Sequence, residues 1–409
     1  MKNYNWNWYK RKITWIGNVL VSVPLRFSYP FRDKKLWVFA CWEGKRYDDN
    51  ARYLYEYISS YHPEIKCVWI SRDANVVNEL KKSNKEVYLS STKAGIKCML
   101  KAGASFYTNG LDDFSDLCFL YGSKTICLNH GNTGIKKAAY TLEKFEKDGL
   151  VKKFKQFRDK LFSQYHYDLC VTTSQISSHL FRELYGDPDE RKYIITGMPR
   201  NDILINRQLF TIDRPKIIVE GYRYILYLPT YREYKNTVIK DLLENLMNDR
   251  RFISMLEREK VKFLVKPHNI DVTSAKVEIV NNNFMFVKSD DVESTQVLMA
   301  FSDCLITDYS SCGTDFALTK KPVLFYVPDF DRYNKDNGFR DMWMQFYVEH
   351  PEFRELNNLK DQIYSYFCNG SYDTAANDWI NSVYLGEDIV DTIYSENVYK
   401  RVIEELGIK

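Results

Sequence analysis

The apolar residues of the chain fall into short continuous runs, separated by polar and amphipathic stretches of helical length. Such runs are typical of strands in a parallel sheet covered by helices on both faces. Alternation of these strands with helices predicts an α/β protein. The predicted strands are "KLWVFACW" from 35, "KCVWIS" from 66, "EVYLSS" from 86, "SFYTNG" from 105, "KTICLNHG" from 124, "LCVTTS" from 169, "YIITGMP" from 193, "YILYLPTYR" from 224, "VKFLVKPHN" from 261, "FMFVKS" from 284, "DCLITDYSS" from 303 and "PVLFYVPD" from 322.

A polar connection at 206–222, containing Pro215 and Gly221, interrupts this alternation. A chain of 409 residues also exceeds what one hydrophobic core usually fills. We therefore predict two doubly wound domains. The predicted division has a basic aromatic tail at 1–34, an N-terminal domain at 35–210, a C-terminal domain at 211–388, and a helix at 389–409 that packs back on the N-terminal domain.

The charge is concentrated near the N-terminus. The whole chain has a net charge of +4, which does not suggest nucleic-acid binding. Residues 1–35 contain eight basic side chains against Asp33 alone: Lys2, Lys10, Arg11, Lys12, Arg26, Arg32, Lys34 and Lys35. With Trp6, Trp8, Tyr9, Trp15 and Ile16 among them, this pattern favours an anchor on an anionic membrane surface over a packed or disordered tail. The amphipathic segment 151–162 is a second candidate for membrane contact, although such a helix usually packs on its own domain.

The cysteines and glycines exclude several classes of site. Nine cysteines occur singly, without a C-x-x-C pair or a Cys/His cluster, which indicates free thiols in a reducing cytosol. No G-x-G-x-x-G follows the first strand, and no P-loop motif is present. The sequence therefore argues against a simple dinucleotide-binding or P-loop enzyme.

Ligands of open parallel sheets bind beyond the carboxyl ends of the strands, so the polar residues there are the candidates for chemistry. In "LNHGNTGIKKA", His130 ends an apolar run and is followed by Gly131, Gly134 and Lys136. A histidine can serve as a general base near neutral pH, and the glycines let a ligand approach the backbone. The alternative is a solvated histidine in a turn.

Two further strand ends carry cations. Thr230 and Arg232 follow the strand that ends at Pro229, and a guanidinium there can fork onto phosphate oxygens. Taken alone, Arg232 is weak evidence for a phosphate site, since an arginine after a strand usually lies on the surface. Lys266 and His268 end the next strand and suit an anionic group.

In "ITDYSSCGTDFAL", a strand ends and a helix begins. The hydroxyl groups of Ser310, Ser311 and Thr314, together with backbone N–H groups at the helix N-terminus, can form a phosphate site. Helix capping alone would explain one serine. We therefore predict one anion site shared by these strand ends.

The order HG-x-x-x-x-K, PTYR, KPH, then ITDYSS-x-x-x-DFAL-x-x-KPVLFY resembles the CDP-glycerol glycerophosphotransferase family, whose members build teichoic acids and related capsule polymers in bacteria. The resemblance covers about residues 36–340. It implies a GT-B-like fold with two Rossmann-like domains facing a cleft. It also implies that the C-terminal domain holds the CDP donor and that the acceptor approaches from the N-terminal domain.

Carried over by position, the resemblance implies a role for each matching residue. The catalytic histidines are His130, as the base on the acceptor hydroxyl, and His268, at the donor diphosphate. The donor contacts are Arg232, Thr230, Lys266, Ser310, Ser311, Thr314 and Asp315, and the acceptor side has Asn132 and Lys136.

The implied reaction moves a polyol phosphate from a CDP-linked donor, CDP-glycerol or a similar CDP-polyol, to a hydroxyl on a lipid-linked or polymeric cell-surface glycan precursor, and releases CMP. No metal or other cofactor is expected, and the protein is expected in the cytoplasm, on the inner face of the plasma membrane. The sequence reads "HGNTGIKK" where the family commonly reads HGTPLKK. Because of this departure the motifs do not identify the polyol, and glycerol phosphate is taken as the default from the family.

Three alternatives stand beside this interpretation, and the metal-dependent one among them is discounted. One is a GT-B glycosyltransferase that uses a nucleotide sugar. A metal-dependent transferase is a second, because Asp329-x-Asp331 matches a DxD motif, although such short motifs are common by chance. The third is an inactive nucleotide- or glycan-binding module, against which His130, Arg232 and His268 argue.

Overall fold

The fold was analysed in a computed structural model, which describes residues 17, 20, 24–117, 119–136, 166–230, 232, 237–267, 281–288 and 291–408. The chain forms two compact units. Unit 1 comprises Met1–His130, Tyr140–Asp202 and Gly386–Lys409, and unit 2 comprises Gly131–Ala139 and Ile203–Leu385. The main crossing from unit 1 to unit 2 thus lies at Asp202, eight residues before the predicted division at 210.

Unit 1 is built on a seven-stranded parallel sheet in the order β3-β2-β1-β4-β5-β6-β7. All seven strands predicted for this part of the chain are present. Their bounds are β1 Asp33–Phe39, β2 Lys66–Ser71, β3 Val87–Leu89, β4 Ala102–Tyr107, β5 Lys124–Cys127, β6 Leu169–Thr172 and β7 Tyr193–Ile195.

The apolar runs of unit 1 are buried on both faces of the sheet, with Trp37 and Trp69 at 0% exposure. Side-chain caps start several of its helices: Asp73 accepts from the Asn75 N–H, Thr92 from Gly95 and Ser174 from Ser177. Among the described residues, the α-helices of unit 1 are Asp49–Tyr61, Ala74–Lys82, Lys93–Lys101, Gln175–Tyr185 and Tyr394–Leu406.

Unit 2 is built on a five-stranded parallel sheet in the order β10-β9-β8-β11-β12, and its five strands were also predicted. Their bounds are β8 Arg223–Leu228, β9 Val261–Val265, β10 Phe284–Phe286, β11 Cys304–Thr307 and β12 Val323–Phe325. The α-helices in the described part of unit 2 are Val238–Asn248, Arg250–Arg258, Thr295–Ala300, Cys312–Phe316, Phe330–Asn337, Asp341–Glu349, Leu356–Asn369 and Ala375–Tyr384. A short helix, Asp202–Ile205, lies at the crossing between the units.

One arginine of the tail predicted to face the membrane lies inside unit 1 instead. Arg32 is buried, and its guanidinium donates to the carbonyls of Met99, Ala102, Phe119 and Tyr121 at 2.8–3.0 Å. Because these bonds occupy its head group, Arg32 cannot face lipid headgroups and instead ties the end of the tail to unit 1. The tryptophans proposed to enter the membrane, and the segment 151–162, lie outside the described residues. Across the described part of the chain, no helix combines the length and apolar character needed to cross a membrane.

Candidate functional site

His130 lies just beyond the carboxyl end of β5, on a backbone that the neighbouring residue holds in an uncommon conformation. Asn129 has a left-handed φ of 58°, and its buried amide nitrogen donates to the Val171 carbonyl at 2.8 Å. The amide oxygen of Asn129 accepts from the Tyr185 hydroxyl at 2.7 Å. Asparagine tolerates this conformation better than most residues. The chain therefore leaves the strand sharply and presents His130 at the surface of unit 1.

The environment of His130 favours the neutral imidazole. The ring is accessible to solvent, yet atoms of the protein crowd around it, and the resulting loss of hydration lowers its pKa. Asp49 acts in the opposite direction, Arg200 lowers the pKa further, and the backbone of Thr108 raises it. In a neutral imidazole one nitrogen carries the N–H, and the second nitrogen carries a lone pair. That nitrogen can accept a proton, as a general base must.

The segment after His130 belongs to unit 2 and not to the acceptor-side domain, where Asn132 and Lys136 were predicted. Gly131 and Gly134 have φ values of 134° and 109°, which ordinary side chains rarely adopt. Asn132 Nδ2 lies 3.4 Å from Thr314 Oγ1, and Lys136 forms an isolated bridge with Phe339. The Lys136 ammonium also lies 5.5 Å from the centre of the Tyr333 ring. These contacts place both residues on the C-terminal unit.

In unit 2, the ends of β8 and β11 meet at a buried carboxylate. Asp308 is fully buried, and its two oxygens accept from the Thr230 N–H at 2.9 and 3.1 Å. Arg232 Nη1 also donates to Asp308. Asp308 thus binds both Thr230 and Arg232, which were predicted to lie in one site. The sequence analysis did not identify Asp308 as their common partner.

The guanidinium of Arg232 makes a second pair with Asp329, which follows β12. Nε and Nη2 of Arg232 donate to the two Asp329 oxygens at 2.9 and 3.1 Å, and the Tyr309 hydroxyl donates to the same carboxylate at 3.1 Å. The arginine side chain is 2% exposed. Burial disfavours its charged form, but Asp308 and Asp329 outweigh that effect and raise its pKa.

In this structure the partners of Arg232 are two carboxylates, and its fork onto phosphate stays a prediction. With two carboxylates on a buried head group, the arginine holds the ends of three strands together in this structure. The same contacts argue against the alternative of a DxD metal site, because both oxygens of Asp329 accept hydrogen bonds from Arg232. Within the described ranges, no three His, Cys, Asp or Glu side chains are grouped closely enough to hold a metal ion.

The hydroxyl groups after β11 differ in their burial. The Thr314 hydroxyl is buried and donates to the Ser311 carbonyl at 2.7 Å, while Ser310 and Ser311 are half-buried. The helix Cys312–Phe316 has five residues, and the Ser311 side chain makes no capping hydrogen bond. Asp315, predicted to contact the donor, is fully buried and accepts from Gln296 Nε2 at 3.2 Å. Ser310 and Ser311 are thus the accessible polar groups here, and Asp315 lies in the interior of unit 2.

Lys266 follows β9 and is half-buried, with its backbone N–H bonded to the Tyr227 carbonyl at 3.0 Å. His268 lies outside the described residues. Sequence reasoning missed three polar residues at these strand ends: Asp308 as a partner of Arg232, and Asp49 and Arg200 near His130. The signal that could have found Arg200 is "MPRND", which follows β7 as "PTYR" follows β8.

Comparison with known proteins identifies the family of the chain. Residues 23–404 match the family described as CDP-glycerol:poly(glycerophosphate) glycerophosphotransferase. The chain is 24% identical to a teichoic acid poly(glycerol phosphate) polymerase of Staphylococcus epidermidis over 90% of this chain, and it spans 54% of that relative. It is 27% identical to a teichoic acid glycerol-phosphate transferase of Staphylococcus aureus, over 78% of this chain and 80% of the relative.

Solved structures support the fold. The wall teichoic acid polymerase TagF aligns with a TM-score of 0.62 at 20% identity, covering 98% of both chains. A UDP-N-acetylglucosamine 2-epimerase from Listeria monocytogenes, described as putative, aligns with a TM-score of 0.51 at 11% identity, over 92% of this chain. The predicted GT-B-like α/β fold is confirmed. Because the family match covers nearly the whole chain, this protein belongs to the CDP-glycerol:poly(glycerophosphate) glycerophosphotransferase family, as its motifs predicted.

Proposed function

We propose that this enzyme transfers a polyol phosphate, with glycerol phosphate as the default, from a CDP-linked donor to a hydroxyl of a lipid-linked or polymeric cell-surface glycan precursor. Membership of the family supports the reaction class. The observation that carries the proposal is His130, a solvent-accessible histidine just beyond the carboxyl end of β5, whose pKa is lowered by loss of hydration. A variant of TagF has been solved after a soak with CDPG, which supports a CDP-linked donor.

In the proposed reaction, the acceptor O–H gives its proton to the unprotonated nitrogen of His130. The acceptor oxygen then attacks the β-phosphorus of the donor and forms a new P–O bond. The bond between that phosphorus and the oxygen bridging to the α-phosphate breaks, and CMP leaves with the bonding pair. Lys266, Ser310 and Ser311 are the described groups of unit 2 that we assign to the donor phosphates. His268 keeps its proposed place at the diphosphate.

The test is release of CMP from purified enzyme given CDP-glycerol or CDP-ribitol with an acceptor, compared with release of UDP from UDP-sugars. His130→Ala should abolish turnover and leave the affinity for the CDP donor nearly unchanged, because a base on the acceptor does not hold the diphosphate. His179→Ala is the matched control, since this histidine is exposed and pairs with Glu183. Turnover of UDP-sugars alone would favour the glycosyltransferase alternative.

We also propose that the transfer needs no metal ion. Positive charge for the phosphates would come from side chains, and Asp329 of the DxD motif is already paired with Arg232. CMP release should therefore persist in excess EDTA. Complete inhibition that Mn²⁺ reverses would contradict this proposal and support the metal-dependent alternative.

A membrane surface is the proposed location of the acceptor, on the inner face of the plasma membrane. Phe27 and Phe31 are 77% and 88% exposed, and both lie close in sequence to the buried anchor Arg32. Lys34 and Lys35 are exposed in the strand that follows. Exposed aromatic side chains beside lysines are typical of contact with anionic lipid.

A further inference from the structure

A buried ion pair lies beside His130 and has no part in the proposed reaction. Asp49 and Arg200 are 5% and 7% exposed, and Arg200 Nη1 lies 3.0 Å from Asp49 Oδ1. The same nitrogen donates to the carbonyl of His130 at 2.8 Å. Burying two charges is expensive, and apolar residues of similar size often stabilise a fold as well. Stability alone therefore does not explain why the Asp49–Arg200 pair is buried here.

The next residue in the chain extends this network along the backbone before His130. Asn50 Nδ2 donates to the carbonyls of Leu128 and Asn129 at 3.1 and 2.9 Å. Asn50 Oδ1 accepts from the backbone N–H of Arg200 at 3.0 Å. Because β5 ends at Cys127, carbonyls 128 to 130 lie beyond the strand, and Asn50 and Arg200 bind all three.

Asp49 also holds the aromatic neighbour of His130. Its Oδ2 accepts from Trp42 Nε1 at 3.1 Å, and the Trp42 and His130 ring centres are 5.5 Å apart. Asp49 itself has a left-handed φ of 62°, and Trp42 one of 48°. Such conformations persist where the surrounding contacts impose them, and they cluster at functional sites. One carboxylate thus joins the backbone of His130, through Arg200, to the side chain that packs beside its ring.

We propose that Asp49, Asn50 and Arg200 are positioning residues that fix the backbone and the ring direction of His130 for proton transfer from the acceptor. This inference rests on the proposed function of His130. A base must lie within hydrogen-bond reach of the proton it removes, and a displacement of about 1 Å can lower a rate about 100-fold. Three backbone carbonyls held by buried side chains supply the necessary rigidity.

The charges of the pair give the proposal a readout that a merely structural role would not show. Asp49 favours the imidazolium form of His130, whereas Arg200 disfavours it. Asp49→Asn should therefore lower the pKa of His130, and Arg200→Gln should raise it. Loss of packing alone would not move the pKa in opposite directions according to the charge removed. The backbone of Thr108 also raises the pKa of His130, and neither substitution removes that effect directly.

The experiment combines steady-state kinetics with an NMR titration of the His130 ring, assigned with His130→Ala. Both substitutions should lower kcat about 100-fold while the affinity for CDP-glycerol changes less than about twofold. The NMR titration midpoint should fall in Asp49→Asn and rise in Arg200→Gln. Arg200→Lys, which keeps the charge but lacks the planar fork, should lower kcat with a smaller change of midpoint and serves if Arg200→Gln does not fold.

Asp187→Asn is the matched control, because it removes a buried carboxylate of unit 1 from its pair with the partly exposed Lys192. It should lower thermal stability without moving the His130 titration. Equal titration midpoints in wild type, Asp49→Asn and Arg200→Gln, or kcat losses no larger than in the control, would overturn the positioning role. The titration needs no turnover, so it tests the positioning role even where wild-type enzyme releases no CMP, a result that would instead refute the proposed function.

Discussion

At the scale of single residues, Arg232 shows how burial changes what a side chain can do. A guanidinium after a strand is suited to phosphate oxygens, and that was its predicted role. In the fold it is buried between Asp308 and Asp329, and the centre of the Tyr309 ring lies 5.1 Å from its guanidinium carbon. Its positive charge is therefore balanced inside unit 2 before any donor binds.

This assignment predicts a large loss of stability in Arg232→Ala. Removing the arginine leaves two carboxylates without their cation, one of them fully buried, and breaking such a pair typically costs about 3–5 kcal/mol. Urea unfolding measures the free energy of unfolding. Arg214→Ala, which breaks an exposed pair with Glu220, is the control and should cost less than about 1 kcal/mol.

The original phosphate hypothesis makes the contrary prediction for the same variant. If Arg232→Ala unfolds like wild type and loses about 1.5–3 kcal/mol of donor binding, Arg232 contacts the donor directly. The two measurements on one variant thus separate the two roles.

At the scale of elements, the C-terminal helix Tyr394–Leu406 depends on one carboxyl group for its start in unit 1. Asp202 accepts from the backbone N–H groups of Tyr394 and Ser395 at 2.7 and 2.8 Å. Val398, Val402 and Leu406 are buried along the helix. Burial raises the pKa of Asp202 from 3.8 to about 7, because loss of hydration outweighs the hydrogen bonds that favour the carboxylate.

The direction of this shift predicts how stability depends on pH. Between pH 3.8 and about 7 the folded state holds a proton on Asp202 that the unfolded chain has lost. The stabilisation is therefore complete below pH 3.8 and disappears as the pH rises towards 7, by at most about 1.4 kcal/mol per pH unit. Asp202→Asn should remove this slope.

Urea unfolding of wild type and Asp202→Asn at pH 5 and pH 7.5 tests the prediction through the difference between the two proteins. Asp33→Asn, at an exposed position of unit 1, controls for a general effect of removing one carboxyl group. A difference between wild type and Asp202→Asn that is the same at both pH values would show that Asp202 titrates alike in the folded and unfolded states.

At the scale of the whole molecule, the distribution of charge and exposed apolar surface predicts membrane contact. Residues 1–35 carry seven more positive than negative charges, so the rest of the chain has a net charge of −3. Arg32, one of these cations, is buried in unit 1 and does not contribute to membrane contact. The exposed Phe27 and Phe31 lie in this basic part of the sequence. Aromatic side chains supply apolar contact with lipid, and lysines supply salt-sensitive attraction.

Replacing Phe27 and Phe31 together by Ser should reduce co-sedimentation with anionic vesicles and lower activity on a lipid-embedded acceptor. Activity on a soluble acceptor analogue should persist, because neither phenylalanine belongs to the proposed site. Val219 and Val348, each 54% exposed in unit 2, provide a matched double substitution by Ser. Equal loss of vesicle binding in both double variants would refute a specific role for this surface.

The sequence by itself determined the twelve strands, the two parallel sheets and the place of His130 at a strand end. These are local properties: a continuous apolar run fits a covered parallel strand, and the polar residue that ends the run lies at the sheet edge where ligands bind. The family also followed from short motifs whose order along the chain is local information.

Only the tertiary structure decided which side chains meet at those edges. Arg232 pairs with residues 76 and 97 positions away, and Arg200 with Asp49 across 151 positions. Strand order brings such residues together, since β8 lies beside β11 in the sheet although β9 and β10 separate them in the chain. Burial then separates the two: Arg232 is enclosed with carboxylates and holds strand ends together, whereas His130 reaches solvent, as its proposed role on an acceptor requires.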